Sequence, residues 1–189
     1  MPDPRAAIGR ERRRLMQIRT AFEAGLGRGQ SASLDLAEFY LACAAYIVSS
    51  MDRLHFQDQI IHDLLVERIP GDDTEAHRRL AVLDERQNNS RALVEEFQIA
   101  ADALRVAGQS GCQVFRAAAQ HFADTFDSTM EARRNPFERY TDQLFSDDDW
   151  LDVAGASEEA DKMEENLYNA VRRSAPDGID PETMEVIYH

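Results

Sequence analysis

Apolar residues recur along this chain at intervals of three, four and seven, and they almost never alternate with polar ones. That period puts them on one face of a helix rather than one face of a strand. Ile8, Leu15, Phe22 and Leu26 form one stripe, and Ile47, Met51, Leu54, Ile61 and Leu65 a second. Leu80, Leu83, Leu93, Phe97 and Leu104 form a third; Phe115, Phe122, Phe126, Met130 and Phe137 form a fourth. Glycine and proline fall between the stripes, at Gly25 to Gly29, Pro70 to Gly71 and Gly108 to Gly111. The spacing predicts helices over 4–26, 32–69, 74–107 and 112–145. Four long amphipathic helices with short connections predict an all-α fold, an antiparallel up-down four-helix bundle. Pro136 lies inside the fourth span and is expected to kink or split it. A fifth helix is expected from Ser157, which suits an N-cap, with a loose tail from Pro176 onward. The chain then divides into a bundle over 1–153 and a C-terminal helix and tail over 154–189.

Charge narrows the choice of partners. The 35 acidic residues against 21 Lys and Arg leave a net charge of −14 over 189 residues. Such a surface is poorly suited to neutralising phosphates, so neither nucleic acid nor an anionic membrane is expected as a partner. No apolar run is long enough to cross a bilayer, and MPDPRAAIGRERRR lacks the apolar centre of a signal peptide, so a cytoplasmic protein is expected. Cys43 and Cys112 form no CxxC and are read as packing residues. The SDDDW run lacks EF-hand spacing and reads as a turn with a helix cap.

The densest chemistry is LHFQDQIIHD, Leu54 to Asp63. His55, Asp58, Gln59 and His62 fall at i, i+3, i+4 and i+7, on one helical face. Two imidazoles and a carboxylate at that spacing suit a metal, and they equally suit the polar edge of an amphipathic helix. A lone His55 on such a face is most simply a core histidine, and beside Asp58 it also fits an acid–base pair. His62 and His121 sit at the edges of apolar stripes and read as surface residues, or with Asp58, Asp124 or Asp127 as a displaced metal site.

Four stretches in order resemble hemerythrin-like (HHE) proteins over about residues 8–153. GRERRRLMQI resembles the family's Glu-His opening, with Glu11 matching. MDRLHFQDQ resembles its Asp-Arg-x-His stretch, with Asp52, Arg53, His55 and Phe56 matching. LDERQNNSRALVEEF resembles its third-helix motif, with Ser90 and Arg91 where the family has Gly-Arg. TMEARRNPFERYTDQLFSDDDWLDVA resembles its last helix and its Asp-Trp ending.

The resemblance implies a four-helix bundle with a di-iron site of His and carboxylate ligands. Carried over residue by residue, only His55 survives. Gln59 stands at the carboxylate position, Arg12 and Thr129 at His positions, Arg86 or Gln87 at the third-helix His, and Arg133 and Arg134 at the acidic pair. Arginine is always cationic and cannot ligate, so iron is disfavoured where these side chains converge. An inward guanidinium needs an anionic partner, with Glu11, Asp58 and Glu85 as candidates.

The favoured reading is a metal-free binding or regulatory module. Arg12, His55, Asp58, Gln59, Gln87, Thr129 and Arg133 would line a cationic core pocket for a small anionic ligand, with no cofactor. One alternative keeps non-haem iron, for oxygen binding or metal sensing, on rearranged ligands drawn from His55, Asp58, His62, Glu85, His121 and Glu131. A second is a cofactor-free enzyme using His55 and Asp58 as base and the arginines as an anion clamp. A third is a protein-interaction module whose acidic surface suits a basic partner.

Overall fold

The computed structural model describes residues 3–28, 36–130, 137–155 and 157–184, and for 127–130 the backbone alone. The elements are α1 (Pro4–Arg28), α2 (Ala37–Arg68), α3 (Thr74–Ala107), a 3-10 turn (Gly108–Gly111), α4 (Cys112–Met130), α5 (Glu138–Leu144), α6 (Asp147–Ala154) and α7 (Glu158–Ser174). No strand occurs among the described residues, and none of their helices is long and apolar enough to cross a membrane.

Pair contacts fix the helix directions. Tyr40 bonds the Gly25 carbonyl while Arg12 meets Asp58, so α1 and α2 run antiparallel. His55 meets Ser90 and His62 meets Asp84, which makes α3 antiparallel to α2. Phe97 stacks on Phe122 with ring centroids 4.2 Å apart, joining α3 to α4. Arg116 donates to the Leu26 carbonyl and Arg19 lies over the Phe126 ring, which returns α4 to α1. The long helix α7 packs on α2, with the Tyr46 and Tyr168 rings 6.1 Å apart.

Local sequence sets the helix ends. Asp73 caps α3 by accepting from the Ala76 N–H at 3.0 Å. Gly108 then ends that helix at φ 59°, a conformation that favours glycine. Ser146 and Asp149 form a reciprocal capping box on α6, the role expected of SDDDW. Asp149 also binds Arg68 at 2.7 and 2.8 Å, which holds its carboxyl well below the usual range and ties α6 to α2. Ser157 caps α7 as expected.

One expectation is met and one is corrected. The 112–145 span is divided, as expected of Pro136: Phe137, which follows it, is the N-cap of α5 with non-helical dihedrals (φ −109°, ψ 9°). Residues 131–136 themselves lie outside the described residues. The tail is not loose over its described length. Ile179 is buried, and Arg28 donates to the carbonyls of Asp177 and Gly178, so the tail folds back on the end of α1.

The apolar interior falls into separate clusters. The main one is aromatic, built around Phe22, Tyr40, Phe97, Phe115, Phe122 and Phe126. The second, at the opposite end, joins Leu65, Ile69, Leu80, Phe137 and Phe145. A third, smaller one packs Ile8 against Val153 and Ala154. Along α3 the main cluster begins at Leu93 and the second ends at Leu83; Gln87 and Ser90 are buried between them. Along α2, Leu54 belongs to the first and Ile61 to the second, with His55 and Asp58 between. Polar residues therefore occupy one level between the two ends.

Candidate functional site

That level holds much of the predicted set. The His55 ring is buried, and its Nε2 lies 2.9 Å from Ser90 Oγ across the α2–α3 interface. Burial pushes the imidazole below its ordinary pKa, and the Arg91 cation adds to the effect against a smaller opposing pull from Asp52. Gln87, one turn before Ser90 on the same face of α3, is buried with its amide nitrogen lacking any hydrogen-bond partner. A buried unpaired amide is unfavourable by about 1–3 kcal/mol, so this one is an exception in need of a reason.

On the α1 side, Asp58 Oδ1 accepts from Arg12 at 3.2 Å. Burial raises the Asp58 pKa, while Arg12 and Arg91 work against it. Glu11 is held by Arg53 through both oxygens, at 2.8 and 3.0 Å, and accepts from the buried Gln57 amide at 2.9 Å. Arg53 also donates to the Ala154 carbonyl, locking α6 against this cluster.

The remaining predicted residues separate. Gln59 lies toward the surface, donating to Asp63 at 2.9 Å and accepting from Arg91 at 3.2 Å. Arg12 is half exposed at the α1–α2 edge. Among the alternative metal ligands, Glu85 and His121 are exposed. His62 faces the carboxylates of Asp63 and Asp84 at 3.3 and 3.0 Å. No group of three or more His, Cys, Asp or Glu side chains among the described residues is placed to hold a metal ion. The side chain of Thr129, and Glu131, Arg133 and Arg134, lie outside the described residues.

A cavity of about 190 Å³ opens beside this level, between α1, α2 and α7. Leu15, Leu54, Ala160 and Met163 give it an apolar floor, and Glu11, Arg12, Ser49, Gln57 and Glu164 a polar rim. It continues into a wider surface groove of about 510 Å³ edged by Arg10, Arg13, Arg14 and Asp161. Tyr46 donates to Glu164 at 2.6 Å, and Arg14 donates to the same carboxylate at 2.6 Å. Burial and the Glu164 charge push the Tyr46 hydroxyl far above its ordinary pKa.

Ser90, Gln57, Tyr46 and Glu164 were not among the candidate site residues of the sequence. Ser90 carried a signal, since it interrupts the apolar stripe between Leu83 and Leu93. Tyr46 and Glu164 carried none, because their meeting depends on where α7 docks.

In comparison with known proteins, the chain matches no protein-family model, no curated protein and no solved structure.

Proposed function

We propose that this chain is a divergent hemerythrin-like four-helix bundle without a resident di-iron centre, acting as a metal-free binding or regulatory module. The observation that carries the reading is the polar level between the two hydrophobic clusters, where His55 faces Ser90 and the Gln87 amide is buried without a partner. The family's iron ligands would stand at these positions. What remains is a neutral imidazole, an amide and a single carboxylate, Asp58, already paired with the Arg12 cation. Such a layer has hydrogen-bond donors to offer a small anion and little negative charge to offset iron. Arg133, which lies outside the described residues, is proposed as a further cation of the same layer.

The test is metal content and absorption of protein made in iron-rich medium, followed by thermal melts in formate, acetate and phosphate. The expected outcome is substoichiometric iron, no visible charge-transfer band, and a Tm raised by at least one of the anions and not in Gln87→Leu. Two irons per chain with a visible band would overturn the reading, and a Tm unmoved by all three anions would remove the ligand from it.

A further inference from the structure

The cavity between α1, α2 and α7 opens beside the polar level, and it presents a guanidinium over apolar walls. Two carboxylates stand on its rim, and every oxygen of both already has a donor. Glu11 is paired with the Arg53 cation and Gln57, and Glu164 with the Arg14 cation and Tyr46. The strongest uncommitted donor on the rim is a guanidinium; the Gln57 carbonyl is the uncommitted acceptor beside it. Arg12 gives one N–H to Asp58 at 3.2 Å and has no other partner among the described residues. The Ser49 hydroxyl on the α2 wall can donate or accept. Below them lie Leu15, Leu54 and Ala160, with the half-exposed Met163 thioether as an adaptable flank.

From this we infer that the α1–α2–α7 cavity is a binding site for a small organic carboxylate with an apolar body, its carboxylate held by the Arg12 guanidinium and its body laid between Leu15, Leu54 and Met163. A guanidinium with free forked N–H groups matches a carboxylate geometrically, and apolar walls add affinity that an inorganic anion would not gain. A cationic ligand would find carboxylates whose charge is already offset by Arg53 and Arg14. Arg12 is shared between the ligand and Asp58, which also faces Arg91 of α3, so the incoming carboxylate favours proton uptake on Asp58. Affinity should therefore rise as pH falls, until the ligand's own carboxylate is protonated.

The experiment follows the methionine methyl signals of the full chain by NMR, with buried Met51 as internal control. Three probes of one skeleton are compared: 4-phenylbutyrate, its neutral amide, and 4-phenylbutylamine. The Met163 signal should shift with the acid and leave Met51 in place, and the acid should bind about tenfold or more tighter than the amide. Arg12→Gln should bring the acid down to the affinity of the amide, while Asp58→Asn should tighten the acid and flatten its pH dependence. Ala160→Trp should fill the cavity and abolish binding with Arg12 intact, so the outcome does not hang on one variant. Equal affinity for the three probes, preference for the amine, or a Met163 signal unmoved by the acid would each overturn the assignment. None of these would touch the metal-free reading of the polar level, which is tested on iron content and Gln87.

Discussion

His55 Nε2 and Ser90 Oγ lie 2.9 Å apart at the buried α2–α3 interface, each the hydrogen-bond partner of the other. Ser90→Ala would leave the ring nitrogen buried and unpaired. A loss of about 1–3 kcal/mol in urea unfolding at pH 7.5 is expected. The same pair sets a pH dependence. The folded pKa of His55 lies below the unfolded value of about 6.5. Folding therefore favours the neutral ring, and its contribution is complete above about 6.5 and lost as pH falls through the folded value. Unfolding curves from pH 7.5 to 5 should show this loss in the native chain and less of it in His55→Gln.

Arg53 holds Glu11 with both arms of its fork and reaches the Ala154 carbonyl. Its side chain is largely out of solvent, at 23% exposure. Arg53→Ala should lose about 1.5–3 kcal/mol, and Arg53→Lys should recover only part, since an ammonium cannot reproduce the fork. Full recovery by lysine in chemical denaturation would reduce the contact to simple charge.

Gly25 shows how closely α1 approaches α2. A Cβ built there would stand 2.4 Å from the Phe39 ring, itself fully buried. Gly25→Ala normally gains helix propensity, yet here the overlap should win, with a net loss of about 1–3 kcal/mol. A Tm equal to or above the parent would show that the ring moves aside freely.

Tyr46 donates to Glu164 from a buried position. Its folded pKa is raised above the ordinary value of about 10, so the stabilisation is complete below about 10 and is lost as pH rises through the folded value. Tyrosine absorbance at 295 nm should show this residue ionising only with unfolding. Tyr46→Phe should remove that late component and about 1 kcal/mol of stability.

The helical period was legible because burial acts on every third or fourth residue of a long segment. Ile8, Leu15, Phe22 and Leu26 all face inward as their spacing requires, and so do Phe115, Phe122 and Phe126, whereas Phe137 is buried in another cluster as the N-cap of α5. The caps at Ser146 and Ser157 were legible for a similar reason, since a cap is decided within four residues. Distant meetings were not. Nothing near Arg12 announces Asp58, and nothing near Tyr46 announces Glu164; both depend on how helices dock. Periodicity also marks a face without saying how far a long side chain reaches past it. Gln59 shares the His55 face yet turns outward to Asp63 and Arg91.

The Arg14–Glu164 contact joins residues 150 positions apart. During synthesis, α1 and α2 emerge well before α7 exists to cover them. Until then Tyr46 has no carboxylate partner, and Leu15, Leu54 and their neighbours have no wall opposite. The cavity is thus among the last features the nascent chain acquires. A ribosome paused before α7 would hold a chain with most of its helices and none of its proposed ligand affinity.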